Sequence, residues 1–164
     1  MSGDHVSGAT PWRGVLAGAL AWGEAHATYD KAVDAWPAAL RGRRVDGFAH
    51  SGWELVEHLR ITQHDLLDFC RNPDYQHLDW PADYWPSTPE PPSDEAWDAS
   101  VAAYRADRAA LRALAEDGVP DLMAPITHGD GQTYLREVLL AIDHAAYHVG
   151  QLVAVRQILG AWHS

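Results

Sequence analysis

The stretch TYLREVLLAIDHAAYHVGQLVAVRQILG, residues 133–160, decides the fold class. Thr133 is an N-cap residue type and Gly160 a helix stop, and between them Val138, Ile142, Ala145, Val149, Leu152 and Val153 repeat at helical spacing. Ala141, Val155 and Leu159 lie around one side of that stripe, so the segment reads as a helix buried over much of its circumference. A helix of that kind needs other helices around it. Working back along the chain, Ser93 followed by Asp94 and Glu95 opens another helix, with the acids at the positive end of its dipole. Trp97, Val101, Tyr104, Leu111 and Leu114 give it a core face, and it reaches Asp117-Gly118. Ser51-Gly52-Trp53-Glu54 reads as a capping box that starts a helix at Gly52; Val56, Leu59, Leu66, Leu67 and Cys70 mark its apolar face and Asn72-Pro73 ends it. Thr10-Pro11 starts the first helix, whose stripe of Val15, Ala19, Trp22, His26, Tyr29, Val33 and Trp36 predicts a single element lasting to about Pro37, with His26 facing inward.

Four helices with no convincing strand and no internal repeat make an all-α, four-helix bundle. Residues 1–10 read as a flexible N-terminus and residues 11–164 as a single helical domain. The connection between the second and third helices, Pro73 to Ser93, holds six of the ten prolines together with Tyr75, Trp80, Tyr84 and Trp85, so it is no regular element. Gly118 to Gln132 reads as a second loop, with part of it, around Ile126, extended.

Composition narrows the functional classes. With 12 Lys and Arg against 23 Asp and Glu, the formal charge of -11 repels phosphate backbones and anionic membrane surfaces, so neither nucleic acid nor membrane is an expected partner. Cys70 is the only cysteine, which excludes an internal disulfide and a cysteine-based zinc knuckle and leaves a buried thiol. The first ten residues lack a basic segment backed by an apolar one, and no run of about 18 uninterrupted apolar residues occurs, so the expected location is the cytoplasm.

Ten histidines invite a search for ligands. His144 and His148 stand at i and i+4, one helical turn apart, where two imidazoles can converge on one ion. Two imidazoles hold a divalent ion weakly at neutral pH, so a third ligand is needed. His58, mid-helix with Leu55, Ile61 and Thr62 on neighbouring turns, is the leading candidate; the bland reading makes it a hydrogen-bonded histidine at the edge of the core. His26 is a fourth ligand, a proton shuttle or a satisfied core residue. Ala145 stands where a zinc protease needs its glutamate base, and Ala141 and Ala145 stand where a di-iron bundle needs Glu three residues before each histidine. Both chemistries are excluded, and no nucleophile elbow or phosphate loop occurs.

Ser51-Gly52-Trp53-Glu54-Leu55-Val56-Glu57-His58-Leu59, Trp80-Pro81-Ala82-Asp83-Tyr84-Trp85-Pro86 and Asp143-His144-Ala145-Ala146-Tyr147-His148-Val149-Gly150-Gln151-Leu152 together resemble the DinB/YfiT superfamily, from about the first helix to Trp162. The resemblance implies a four-helix bundle of unusual connectivity. It also implies a divalent metal held by one histidine of the second helix and an H-x-x-x-H pair of the last, positions that fall on His58, His144 and His148. Relatives of that kind include metal-dependent S-transferases that use a low-molecular-weight thiol, and many members have no assigned activity.

Three neutral imidazoles leave an ion's charge uncompensated and a coordination position open, which lowers the pKa of a water or thiol placed there. Zn(II) suits such a set best, with Ni(II) next. Two functions are therefore expected to compete. One is a metal-dependent thiol S-transferase or small-molecule hydrolase; the other is a non-catalytic stress or ligand-binding protein with a structural ion, its fourth position filled by His26 or a carboxylate. Metal affinity is expected to fall below about pH 6.5 as the ligands protonate. Glu54, Glu57, Asp65 and Asp143 are candidates to fix the imidazole tautomers or are plain surface charges. Trp80, Tyr84 and Trp85 either wall a pocket above the metal, or plug the bundle's open end or seal a dimer contact. Tyr147 points about 100° away from its histidine neighbours, which gives it a packing role. A homodimer through exposed helix faces or the aromatic loop is compatible with this fold.

Overall fold

The structure, a computed structural model, describes residues 11–119 and 121–162. The N-terminal segment expected to be flexible, residues 1–10, lies outside the described residues. Five α-helices follow in order: α1 (Pro11–Ala19), α2 (Tyr29–Val33), α3 (Gly52–Arg71), α4 (Asp94–Ala113) and α5 (Tyr134–Ile158). Among the described residues there is no strand; the extension expected near Ile126 amounts to an isolated bridge between Pro125 and Thr133. α3 packs against both α4 and α5, α2 lies on α5, and α1 rests on α4 and the segment that follows it.

Each long helix begins at a side chain that satisfies an orphan amide. Ser51 accepts from the Glu54 amide while the Glu54 carboxylate accepts from the Ser51 amide, so the capping box forms in full. Ser93 accepts from the Ala96 amide and Thr133 from the Arg136 amide. α4 runs into a five-residue π-helical segment, Leu114–Gly118, whose Ala115 and Glu116 carbonyls accept from the buried Arg13 guanidinium. α5 ends in a Schellman closure. Gly160 takes a left-handed φ of 68°, and the amides of Gly160 and Ala161 donate to the carbonyls of Gln157 and Arg156.

The single first helix predicted over Pro11–Pro37 is two short helices with a non-helical link, residues 20–28, between them. Thr28 is the physical reason on one side: its hydroxyl accepts from the Lys31 amide and so starts a new helix at Tyr29. Gly23, inside the link, contributes on the other, costing a helix about 1 kcal/mol relative to alanine. The apolar stripe divides accordingly. Tyr29, Val33 and Trp36 are buried, whereas Val15, Trp22 and His26 are exposed; Arg13 and Ala17 form the buried side of α1, and Leu20 just beyond it is buried too.

Two clusters of buried side chains fill the interior. One joins Tyr29, Val33 and Trp36 to Leu55, Leu59, Tyr104 and Leu152. The other joins Leu66, Phe69 and Cys70 to Leu111, Leu122, Ile126 and Val138. Gly52 belongs to the first by necessity, since a Cβ there would lie 2.5 Å from the Trp36 ring. α5 spans both clusters, but Leu139, Leu140 and Ile158 are exposed, so it is less enclosed than its sequence predicts. By length and composition α5 is also apolar enough to cross a membrane; here its Val138, Ala141, Val149, Leu152 and Val155 pack inside the helical assembly. His58 on α3, and His144 and His148 on α5, lie close to the level at which one cluster gives way to the other.

Candidate metal centre

His58 is 2% exposed on α3, His148 is 7% exposed on α5, and His144 is half-buried one turn before it. The fold brings all three together. One ring nitrogen from each lies within 4.8 Å of those of the other two, and His58 Nε2 and His144 Nε2 are 3.0 Å apart. Ligand nitrogens at ordinary zinc distances in a tetrahedral site would stand about 3.3 Å from each other, so the cluster already has the right scale. His26 does not join it: the side chain is exposed, with Nδ1 2.8 Å from the Ala27 carbonyl oxygen, because the link between α1 and α2 removes it from the helix that was to carry it inward.

The outward nitrogens of two rings are committed. His58 Nδ1–H donates to the Tyr84 carbonyl at 2.8 Å. A carbonyl only accepts, so this bond fixes the tautomer and leaves the lone pair on Nε2. His148 Nδ1–H donates to Gln151 Oε1 at 2.7 Å, and the Gln151 amide nitrogen donates in turn to the Tyr147 hydroxyl at 3.2 Å, which orients the amide. Both rings therefore offer Nε2 as the free donor atom. Burial pushes the His58 imidazolium pKa down to about 4, against the opposing pull of the Tyr84 carbonyl. Burial, then the neighbouring His148 and His58, pushes His144 down to about 3; His148 is lowered too, chiefly by burial. At neutral pH all three are unprotonated, the form that binds metal.

None of the four candidate carboxylates is hydrogen-bonded to His58, His144 or His148. Glu54 is taken by Arg44 and the Ser51 amide, Glu57 by Arg60, and Asp143 is exposed. Two reach the site at one remove: Glu54 Oε1 stands 4.0 Å from His50 Nδ1, and Asp65 acts through the aromatic loop. Asp65 accepts from the Tyr75 and Tyr84 hydroxyls, each at 2.7 Å, and so pins the loop whose Tyr84 carbonyl orients His58. A backbone carbonyl and a glutamine amide take the tautomer-fixing role for which those carboxylates were candidates.

The aromatic loop forms a wall. Trp85 lies between two imidazoles, stacked on His58 at 3.9 Å and 5° and on His50 at 3.8 Å and 12°. Trp80, Tyr84 and Trp85 line a cavity of about 440 Å³ together with His58, His144 and His148. Of the alternatives for these aromatics, this lining agrees with a pocket wall. Tyr147 lines the same cavity and is 64% exposed, so its role is not packing; one turn of α5 brings its hydroxyl to Gln151.

Two further groups on the wall have no role in the sequence reading. The Thr62 hydroxyl, one turn beyond His58, and His50 Nδ1 are shielded from solvent with no hydrogen-bond partner among the described residues. Thr62 was legible as the i+4 neighbour of His58. His50 precedes the helix and is placed by its stack on Trp85, for which the sequence carries no spacing signal.

Compared with known proteins, residues 21–152 match the family model described as the DinB superfamily, a span that takes in α2, α3, α4 and all three histidines. No curated protein and no solved structure matches the chain.

Proposed function

Since the chain belongs to the DinB superfamily, we propose that it is a divalent-metal protein in which His58, His144 and His148 hold the ion and one coordination position faces the cavity. The observation that carries this reading is the donor set: three unprotonated imidazoles within 4.8 Å, two of them with Nδ1 tied back so that Nε2 is free. Zn(II) fits three nitrogen donors best and Ni(II) follows. When bound, such an ion supplies a Lewis acid that lowers the pKa of a water or thiol at its open position.

The chain's own residues do the rest. Gln151 and the Tyr84 carbonyl hold two rings in the ligating tautomer, Trp85 covers one face of His58, and the aromatic walls confine a small molecule beside the imidazoles. The reaction classes that suit this arrangement are transfer of a small electrophile to a low-molecular-weight thiol and hydrolysis of a small substrate. The structural-ion reading needs the fourth position filled by His26 or a carboxylate. His26 is exposed elsewhere and no carboxylate lines the cavity among the described residues, which supports the open position. We also read α1 and α2 as jointly the first member of a four-helix bundle, α1 lying on α4 and α2 on α5.

Elemental analysis of protein purified with added zinc or nickel tests the site. One ion per chain is expected for the native protein and none for His148→Ala; metal retained at full stoichiometry in that variant would remove the pair from the site.

A further inference from the structure

The cavity beside the three imidazoles carries more information than its depth. It holds Trp80 and Tyr147 at 71% and 64% exposure, large aromatic faces left in contact with water. Exposed aromatics that line a cavity together lose unfavourable hydration when a flat apolar body lies between them. No Lys, Arg, Asp or Glu lines that cavity among the described residues, so an occupant with charged groups would find no ionic partner there apart from a metal at the imidazoles. The net charge of -11 further disfavours a molecule bearing several anionic groups. The Thr62 hydroxyl, shielded and without a partner, asks for one polar atom near the histidine end. At about 440 Å³ the space suits a molecule of one or two rings.

We infer that the cavity takes an uncharged aromatic small molecule with a single ionisable group at one end, and that Trp80 and Tyr147 select its flat body. The inference rests on the metal reading for what the ionisable end meets, but the ring selection belongs to the two aromatic residues alone. Trp80 comes from the loop and Tyr147 from α5, so they approach the occupant from separate elements.

The test uses the full chain loaded with zinc, its metal content measured in every sample, and three thiols as probes followed by calorimetry and tryptophan fluorescence. Phenylmethanethiol carries a ring and one ionisable group, 2-mercaptoethanol lacks the ring, and glutathione adds two carboxylates and an ammonium. Phenylmethanethiol is expected to bind about tenfold more tightly than either of the others, the scale of two aromatic contacts. With zinc kept at saturation, so that the Tyr147 hydroxyl's part in orienting Gln151 does not empty the site, Trp80→Ala and Tyr147→Ala should each lose several-fold of that preference with one zinc per chain retained, and the double variant should lose it altogether. Both residues are exposed, so neither substitution removes core packing. Equal or tighter binding of glutathione, or a ring preference that survives the double variant, overturns the inference while a full complement of zinc leaves the metal reading standing. A native protein that holds no zinc overturns the metal reading instead. In that event benzyl alcohol serves as the probe by calorimetry: binding weakened several-fold in both Trp80→Ala and Tyr147→Ala upholds the ring selection, and no binding by the native chain overturns it.

Discussion

Gln151 makes its contribution through a neighbour. It accepts the Nδ1 proton of His148 and is itself oriented by the Tyr147 hydroxyl, so its removal frees the imidazole to rotate and to change tautomer without removing any donor atom. Gln151→Ala is expected to weaken zinc binding about 10- to 100-fold, read by competition with a chelator of known affinity, while saturating zinc still gives one ion per chain. An unchanged affinity would mean that packing alone holds the ring. Cys70 illustrates the opposite kind of residue. Burial pushes its thiol pKa up to about 12, so the thiolate is scarce at neutral pH. A thiol-reactive dye is expected to label it only after unfolding, and prompt labelling of the folded protein would contradict that placement. The single-cysteine count pointed to this inert thiol, since a lone cysteine on an apolar helix face has no partner chemistry.

At the scale of elements, the aromatic loop and α3 form one unit through Asp65. The carboxylate accepts from two tyrosines ten and nineteen residues further on, and burial followed by those bonds raises both phenol pKa values. Asp65→Ala leaves the two hydroxyls without their acceptor; hydrogen bonds to a charged group of this kind contribute about 2 kcal/mol. A loss of that order in the unfolding free energy from urea titration, with faster proteolysis between residues 73 and 93, is expected, and an unchanged cleavage pattern would show that the loop is held elsewhere. The helix starts at Ser51, Ser93 and Thr133 were legible because a cap is a local event, written in consecutive residues. The break between α1 and α2 is local as well, yet the stripe concealed it. Helical spacing records which residues would share a face if the helix continued, and Thr28 and Gly23 oppose its continuing.

Across the whole molecule, the packing of α3 against α5 sets a pH dependence. The unfolded chain binds a proton at each histidine below about pH 6.5, whereas the folded His58 and His144 resist protonation until about 4 and 3. Below pH 6.5 the unfolded state therefore binds more protons, and stability falls as pH drops from there toward about 4. The slope contributed by each imidazole is at most about 1.4 kcal/mol per pH unit. Metal-free protein is expected to show a lower urea midpoint at pH 5 than at pH 7.5, with a shallower dependence in His144→Ala; equal slopes would place the lost stability on other groups. The same burial revises the pH at which protons compete with metal. A free histidine would begin to release its metal at about pH 6.5, but in the folded site the competition moves lower.

The sequence by itself determined the helical class, three of the helix starts and which histidines could be ligands, because caps and the i, i+4 repeat are short-range consequences of backbone geometry. Tertiary structure alone decided that His58 meets the α5 pair while His26 does not, that a loop carbonyl and not a carboxylate orients His58, and that the loop aromatics wall a cavity. Those outcomes depend on contacts between residues 26 to 86 positions apart, brought together by burying the apolar faces of α3 and α5, and a backbone carbonyl is the same in every residue until the fold aims it.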